Sequence, residues 1–165
     1  MGGLTAGVSH TNANAAGDSD TTDFGAKYTM SAGGASVTVA GATGTTENST
    51  QDIDSQVIGI KVVAGNVSAI VSQAEYEASS QDEESTGASL SFKVSDAMKV
   101  GVFTVETDDD STSEEYTNTG AELNYQIAPG LNAIINVEDY EYKAGTTGNT
   151  ADSGTHSKLT IKATF

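Results

Sequence analysis

The densest group of chemically capable side chains is the stretch ETDDDSTSEE at residues 106–115, which places six carboxylates within ten positions. Hard divalent cations such as Ca²⁺ and Mg²⁺ bind oxygen ligands, so this stretch could hold one loosely, with Asp108 and Asp110 as ligands. The stretch lacks the Gly at position 6 and the Glu at position 12 of a calcium loop. A solvated acidic loop explains the same residues, and both interpretations stay open.

Catalytic chemistry has little support in the sequence. Cysteine is absent, which removes thiol nucleophiles and thiolate metal ligands. The two histidines, His10 and His156, are far apart in sequence, and no nucleophile–base pair can be recognised. We therefore predict no catalytic residue, no enzymatic activity and no cofactor other than the loosely held divalent ion.

Composition narrows the class of protein further. The chain has 165 residues and a net charge of −16, from 23 acidic residues against 7 lysines and no arginine, so nucleic-acid binding is excluded. Ser and Thr together number 40, with 18 Gly and 1 Pro, a mixture that favours strands and turns over long helices. No run approaches 18 apolar residues, so no transmembrane helix is predicted.

Apolar and polar residues alternate with the period of a β-strand in most of the chain. The alternation is clearest at 4–9, 24–31, 35–40, 88–95 and 120–127. Less regular runs lie at 56–64, 66–76, 98–106 and 131–141, and the chain closes on HSKLTIKATF at 156–165. The sequence therefore predicts ten strands.

The connections between these strands are of two alternating kinds. Short turns are predicted at 31–35, 64–66, 95–97 and 128–130. Long polar loops are predicted at 11–23, 43–55, 77–87, 107–119 and 142–155. A repeated hairpin of this kind predicts an antiparallel up-and-down meander.

Charge is sorted between the two kinds of connection. All acidic residues except Asp96 and Glu122 lie at the long-loop ends. Lysines show the reverse pattern: only Lys143 lies in a long loop, and those near the short-turn end are Lys61, Lys93, Lys99 and Lys162. The outer-loop acids that we single out as candidates are Asp82, Glu83, Glu84, Asp108, Asp109, Asp110, Glu114 and Glu115. Two ends that differ in charge are expected of a sheet that crosses a membrane, because each end then meets a different solution.

The composition of the two strand faces also indicates a sheet that crosses a membrane. The apolar positions are mostly Ala, Val, Leu and Ile, and the polar positions are mostly small Ser, Thr, Gly and Asn. Only a closed barrel can carry strands across lipid, since open edges would leave backbone groups unsatisfied. Apolar-out and polar-in alternation with short turns at one end describes an outer-membrane barrel. We therefore predict an all-β, antiparallel, up-and-down transmembrane β-barrel fold.

Two stretches near the C-terminus resemble Gram-negative general porins. GAELNYQIAPGLNAIINVEDYEY, residues 120–142, resembles the penultimate porin hairpin with its APGL turn. KLTIKATF, residues 158–165, resembles the closing porin strand with its terminal aromatic residue. The resemblance implies an outer-membrane location, passive diffusion of ions and small hydrophilic solutes, and a homo-oligomer that is a trimer in the porin manner.

The resemblance also assigns a role to the closing strand. It implies that the barrel-assembly machinery recognises this strand through Tyr125, Leu159, Ile161 and Phe165, and that outer-membrane lipid surrounds the barrel. Porins commonly have sixteen or eighteen strands, whereas this chain has about ten, which could be part of a sixteen-stranded barrel. We therefore expect that residues 1–165 are a single barrel domain or a C-terminal barrel portion, and that Met1 is an internal methionine preceded by further strands.

Several charged residues are predicted to line the lumen and to tune ion selectivity: Lys27, Lys93, Glu122, Lys158 and Lys162. Ordinary charges on a wet face are the alternative. Aromatic residues near both strand ends are compatible with two interface girdles: Phe24, Tyr76, Tyr116, Tyr140 and Tyr142 at the loop side, and Tyr28, Phe92 and Tyr125 at the turn side. Rim packing in a soluble barrel is the alternative there.

The function predicted from the sequence is that of an outer-membrane porin. The acidic loops predict a preference for cations, because they concentrate cations at one mouth. The competing prediction is a surface-exposed acidic β-rich adhesin, or a ligand- or calcium-binding protein without an open pore. A conducting pore would distinguish the two.

Overall fold

A computed structural model describes residues 2–12, 19–47, 52–146 and 150–164. These residues form ten β-strands, and among them no helix is long and apolar enough to span a membrane. The strands are β1 (Gly3–Thr11), β2 (Asp20–Ala32), β3 (Ala35–Glu47), β4 (Asp52–Ala64), β5 (Val67–Ala78), β6 (Gln81–Lys93), β7 (Met98–Asp109), β8 (Glu114–Ala128), β9 (Leu131–Lys143) and β10 (Asp152–Ala163).

All ten strands belong to one sheet in chain order, and each pairs antiparallel with the strand before it. This up-and-down order confirms the predicted all-β meander and its ten strands. Within the described ranges, β1 pairs only with β2 and β10 only with β9, so these two strands are the edges of the sheet.

The four short turns lie where the sequence predicted them and define one end of the sheet, the turn edge. Gly33 and Gly34 connect β2 to β3 with φ values of 59° and 85°. A two-residue hairpin turn of this handedness needs positive φ at both positions, which glycine adopts without steric cost. The other end of the sheet, where β2 begins and β3 ends, is the loop edge.

Two of the five predicted long loops, 77–87 and 107–119, are mostly strand, and the prediction was wrong for them. The other three, 11–23, 43–55 and 142–155, lie partly outside the described residues. Strands β5 and β6 are separated by residues 79–80 instead of 77–87, and β7 and β8 by 110–113 instead of 107–119. Cross-strand hydroxyl pairs extend the ladder here, such as Ser85–Thr107 at 2.8 Å and Thr104–Thr119 at 2.9 Å. These polar segments are therefore strand ends and not loops. They can stay paired in water because backbone hydrogen bonds between strands do not require apolar side chains.

The same correction applies to the acidic outer-loop candidates. Of the eight, Asp110 is in a turn, and the other seven lie within strands β6, β7 and β8: Asp82, Glu83, Glu84, Asp108, Asp109, Glu114 and Glu115. Each therefore points to one or the other face of the sheet, as strand residues must.

Backbone register assigns every strand residue to one of two faces, because directly opposed residues share a face. One face carries most of the apolar positions, for example Val67, Phe92 and Val100 in one row and Val102, Ala121 and Val137 in another. We call it the apolar face and the opposite one the polar face. A single bulge between Gln126 and Ala128 interrupts the pairing of β8 with β9.

None of the described residues is buried, so the sheet has no packed core. Leu90, Val102 and Leu159 on the apolar face are 51%, 54% and 66% exposed. Small polar-face residues of β6, such as Ser89 and Ser91, are less exposed than their large apolar neighbours. This difference is the one expected of a sheet that curves around its polar face.

The extension of the strands predicts slow amide exchange in segments that resemble loops in sequence. Residues 83–87 and 104–108 lie in interior strands with a partner on both sides, so their amides should be protected in hydrogen–deuterium exchange. The turn at residues 95–97 serves as the control and should exchange fast. Fast exchange of 83–87 and 104–108 would contradict the extended strands.

Candidate functional site

The polar face is the candidate functional surface, because the charged residues predicted to face a lumen all lie on it. Lys27, Lys93, Glu122, Lys158 and Lys162 share this face by register. Between them lie small residues, among them the Ser68–Ser91 and Ser72–Gly87 cross-strand pairs. Larger apolar and aromatic side chains such as Ile70, Phe103 and Ile134 lie on the same face, so its charged groups stand among small and large side chains.

Lysines on the polar face are confined to the strand ends nearest the turn edge. Six of the seven lysines face this way, and each lies within the last six residues of its strand on the turn side: Lys27, Lys61, Lys93, Lys99, Lys158 and Lys162. The seventh, Lys143, lies on the apolar face at the loop edge, where its Nζ pairs with Glu115 Oε2 at 2.5 Å.

Acidic residues occupy the rest of the polar face. All seven that the register places here lie farther from the turn edge than the lysines of their own or neighbouring strands: Asp23, Glu83, Asp109, Glu114, Glu122, Glu138 and Asp152. The polar face is thus positive toward the turn edge and negative toward the loop edge. This sorting is visible along the sequence, but only the register separates the two faces.

A larger set of carboxylates lies on the apolar face, above its apolar part. The thirteen residues are Asp20, Glu47, Asp52, Asp54, Glu75, Glu77, Asp82, Glu84, Glu106, Asp108, Glu115, Asp139 and Glu141. None of them is among the eight residues of its strand nearest the turn edge. We call this set the acidic belt, and it divides the apolar face into an uncharged band and a charged margin.

The middle of the polar face holds a hydrogen-bonded row across three strands. Glu122, Asn136 and Lys158 are consecutive cross-strand neighbours, and Asn136 Nδ2 donates to Glu122 Oε2 at 3.3 Å. In a neighbouring row, Asn118 Nδ2 donates to Glu138 Oε2 at 3.4 Å. Amide side chains therefore hold the two mid-face carboxylates in place where lysines and acids meet.

At the turn edge, Lys93 Nζ contacts Asp96 Oδ1 at 2.7 Å. The hydrogen bond and the charge of Lys93 lower the pKa of the Asp96 carboxyl below its usual value. Both groups are exposed, so solvent screens the attraction and the pair adds little to stability. Lys93 also lies directly opposite Lys99, and the carboxylate of Asp96 offsets part of that like-charge contact.

The aromatic residues divide differently from the prediction of two girdles. Tyr28, Phe92 and Tyr125 at the turn side lie on the apolar face, as does Phe24 at the loop side. The four other loop-side residues lie on the polar face: Tyr76, Tyr116, Tyr140 and Tyr142. The prediction of a loop-side girdle was wrong for these four. Their distance from the turn places them at the right height, but odd or even position along the strand decides the face, and it places them on the polar face.

Two polar-face aromatics cover glycines on the next strand. A Cβ at Gly120 would lie 2.6 Å from Phe103 Cζ, and a Cβ at Gly154 would lie 3.1 Å from Tyr140 Cε1. Each ring therefore lies flat across a neighbouring strand and does not project from the sheet. Tyr140 is fixed further by its hydroxyl, which donates to Asp152 Oδ2 at 3.1 Å.

The candidate metal ligands Asp108 and Asp110 are not brought together with other ligands. Asp108 lies on the apolar face of β7 and Asp110 in the turn that follows. Within the described ranges, no group of three or more His, Asp or Glu side chains is placed to hold a metal ion. A loosely bound Ca²⁺ or Mg²⁺ stays a prediction.

The closing strand presents Leu159 and Ile161 on the apolar face, 66% and 57% exposed, in register with Ile135 and Ala133. Tyr125 is also on this face, opposite Ala133. Phe165, predicted to belong to the same assembly signal, lies outside the described residues. The two histidines are on different faces of opposite edge strands, His10 on the apolar face of β1 and His156 on the polar face of β10.

Comparison with known proteins identifies relatives of this sheet. A family profile described as Gram-negative porin matches residues 1–146. A search of curated proteins finds no significant match.

Solved structures share this fold, and two of the three named below are described as porins. A KdgM porin in complex with disordered oligogalacturonate aligns with a TM-score of 0.55 and 11% identity, over 98% of this chain and 90% of that one. OmpT of Vibrio cholerae aligns with a TM-score of 0.59 and 13% identity, over 88% and 55%. An anion-selective porin from Comamonas acidovorans aligns with a TM-score of 0.57 and 13% identity, over 94% and 57%. This chain therefore spans little more than half the length of the last two.

Replacing Gly120 with Ala tests the packing of Phe103 across β8. The new Cβ would also approach Glu138 Cγ at 2.9 Å, so the ring must move, and we expect the free energy of unfolding to fall by about 1–3 kcal/mol. Urea unfolding in lipid vesicles measures the change. Gly7→Ala is the control, since a Cβ there meets nothing within 4 Å. Equal stability of the two variants would contradict this packing.

Proposed function

Because this chain belongs to the Gram-negative porin family and is an outer-membrane protein, we propose that its polar face lines a pore for passive diffusion of ions and small hydrophilic solutes. The observation that carries the proposal is the exposed apolar face. Within the described part of the chain no other protein surface covers this face, and contact with lipid would stabilise it. The proposal assigns no catalytic step to any residue.

The dimensions of the uncharged band support a lipid environment. The eight residues of each strand nearest the turn edge carry no Asp, Glu or Lys on the apolar face within the described part of the chain. At about 3.3 Å per residue this amounts to about 25 Å of strand, which spans about 20 Å of membrane at a strand tilt of about 35–45°. Outer-membrane barrels place a band of that order in lipid. The acidic belt then lies beyond the band, in water and headgroups.

We also propose that further strands complete the barrel between β10 and β1. A sheet edge in lipid leaves backbone N–H and C=O groups unsatisfied, at a cost of several kcal/mol for each group. The lengths of the two larger solved structures are compatible with additional strands. Assembly into a trimer and recognition of β10 by the barrel-assembly machinery stay predictions.

The proposed ion preference is for cations, and it depends on where the charges lie. Among the described residues the charges of the polar face nearly balance, with seven acids against six lysines. The excess negative charge is at the loop edge, where polar-face acids and the acidic belt lie together, and the field there acts over about 10 Å at 0.1 M salt. One solved relative is described as anion-selective. The shared fold therefore does not determine whether cations or anions are preferred, and the local charges must decide it.

A reversal potential across a planar bilayer under a KCl gradient tests this preference. The whole protein should give a potential of cation-selective sign that weakens as the salt concentration rises. A potential of anion-selective sign would overturn the preference, and no conductance would overturn the pore and favour a surface protein without one.

The chain offers a matched pair of variants for the same measurement. Glu83 and Asp109 are directly opposite on the polar face, and their neighbours Glu84 and Asp108 are directly opposite on the apolar face. We expect Glu83→Gln with Asp109→Asn to lower the cation-to-anion permeability ratio about twofold. Glu84→Gln with Asp108→Asn removes the same charge outside the pore and should change the ratio less. Equal effects would contradict the assignment of the polar face to the lumen.

A further inference from the structure

Three lysines converge on one groove of the polar face at the turn edge. Lys61 on β4, Lys93 on β6 and Lys99 on β7 line a groove of about 470 Å³ between the ends of these strands. Lys93 and Lys99 are directly opposite, which brings the Cβ atoms of two like charges to about 5 Å. Such a pair costs free energy unless an anion lies between or beside its members.

The protein supplies only part of that negative charge. Of the lysines of this groove, Lys93 alone has a carboxylate of the described residues within 4.0 Å, which belongs to Asp96. Glu122 on β8 is on the same face, and its carboxylate accepts a hydrogen bond from Asn136, one strand farther away. Lys61 and Lys99 therefore present their ammonium groups to the groove without an ion-pair partner in the described part of the chain.

Side-chain amides also line this groove, beside serines and the apolar residues Val63, Val67 and Met98. Asn124 lies directly opposite Lys99, and Gln126 lies opposite Asn132. Asn66 in the turn before β5 lines the same groove. Amide N–H₂ groups donate hydrogen bonds to oxyanions, and an ammonium group supplies the charge. The chemistry is that of a site for several oxyanion groups at once.

We propose that this groove, which we call the lysine groove, binds multivalent oxyanions at the turn-edge mouth of the pore. The proposal rests on the proposed function, because it places the groove inside the pore. Polar-face acids nearer the loop edge repel the same ions. An oxyanion therefore reaches the groove readily from the turn side and poorly from the loop side. We expect it to block the current more strongly when it is added to the turn side.

The test uses tripolyphosphate and citrate as probes on the whole protein in planar bilayers. Because the chain has no cysteine, a biotin label on Ser111→Cys at the loop edge reports the orientation of each pore. We expect either probe to reduce the current at a concentration at least tenfold lower from the turn side than from the loop side. Block by tripolyphosphate alone would narrow the ligand to phosphates, and block by both supports oxyanions in general.

Matched variants connect the block to the groove. Lys99→Gln should weaken the turn-side block about tenfold, since it removes one charge-assisted hydrogen bond. Lys143→Gln removes the same charge on the apolar face at the loop edge and should leave the block unchanged. Binding in the lysine groove is overturned if the pore conducts but is blocked equally from both sides. It is also overturned if the two variants have equal effects. Either result leaves the proposed pore intact.

A binding measurement separates the groove from the pore. In detergent micelles, tripolyphosphate added to the ¹⁵N-labelled protein should shift the amide signals of Lys93, Lys99 and Asn124, and less so in Lys99→Gln. If the protein gives no conductance, the proposed pore is overturned, and the chemical shifts still show whether the lysine groove binds the oxyanion. Absence of shifts at these residues overturns the groove whatever the conductance.

Discussion

The structure depends on contact between the apolar face of the sheet and a non-aqueous environment, which the described part of the chain does not supply. Nine antiparallel pairings satisfy the backbone of the described strands except at the outer edges of β1 and β10, yet no described side chain is buried. In water, the large apolar side chains of this face would drive aggregation or collapse. In lipid the same face is matched to its solvent, and the hydrogen-bonded ladder becomes the dominant restraint, because unpaired backbone groups are most costly there.

The ladder also decides where every charge points. A slip of one residue would invert the two faces of a strand, moving Lys93 into the uncharged band and Phe92 into the polar surface. The register avoids this with a continuous apolar row that joins Phe92, Val100 and Leu123. Once the apolar rows are fixed, the sorting of lysines and acids along the polar face follows from sequence position alone. The electrical asymmetry of the polar face is thus a consequence of strand pairing.

Much of the fold could be predicted from local patterns. Gly33 and Gly34 mark a tight hairpin, Gly130 follows the only proline at another, and alternation between the turns gives the strands. The loop-side ends could not be found by hydropathy, because residues such as Ser85 and Thr107 pair across strands without being apolar. Whether an edge strand has a further partner depends on residues outside the local pattern, so closure could not be predicted.

The functional surface was predictable in kind but not in detail. The candidates Lys27, Lys158 and Lys162 were chosen from the polar positions of alternating runs, and the register places them on one face. Lys61 and Lys99 belong to the less regular runs 56–64 and 98–106, where no parity was assigned, and so they were missed as face residues. Continuing the alternation from Leu90 through Glu84 would have separated the acidic belt from the polar-face acids, since strand parity persists across the change to polar composition.

The central claim is that the apolar face meets lipid and the polar face meets water, and a pair of adjacent tryptophans tests it most directly. The chain has no native tryptophan, and Val102 and Phe103 are neighbours on opposite faces of β7. In vesicles, Val102→Trp should be quenched by brominated lipid and protected from acrylamide, whereas Phe103→Trp should be quenched by acrylamide and hardly by brominated lipid. Equal access of acrylamide to both, or the reverse pattern, would contradict the account.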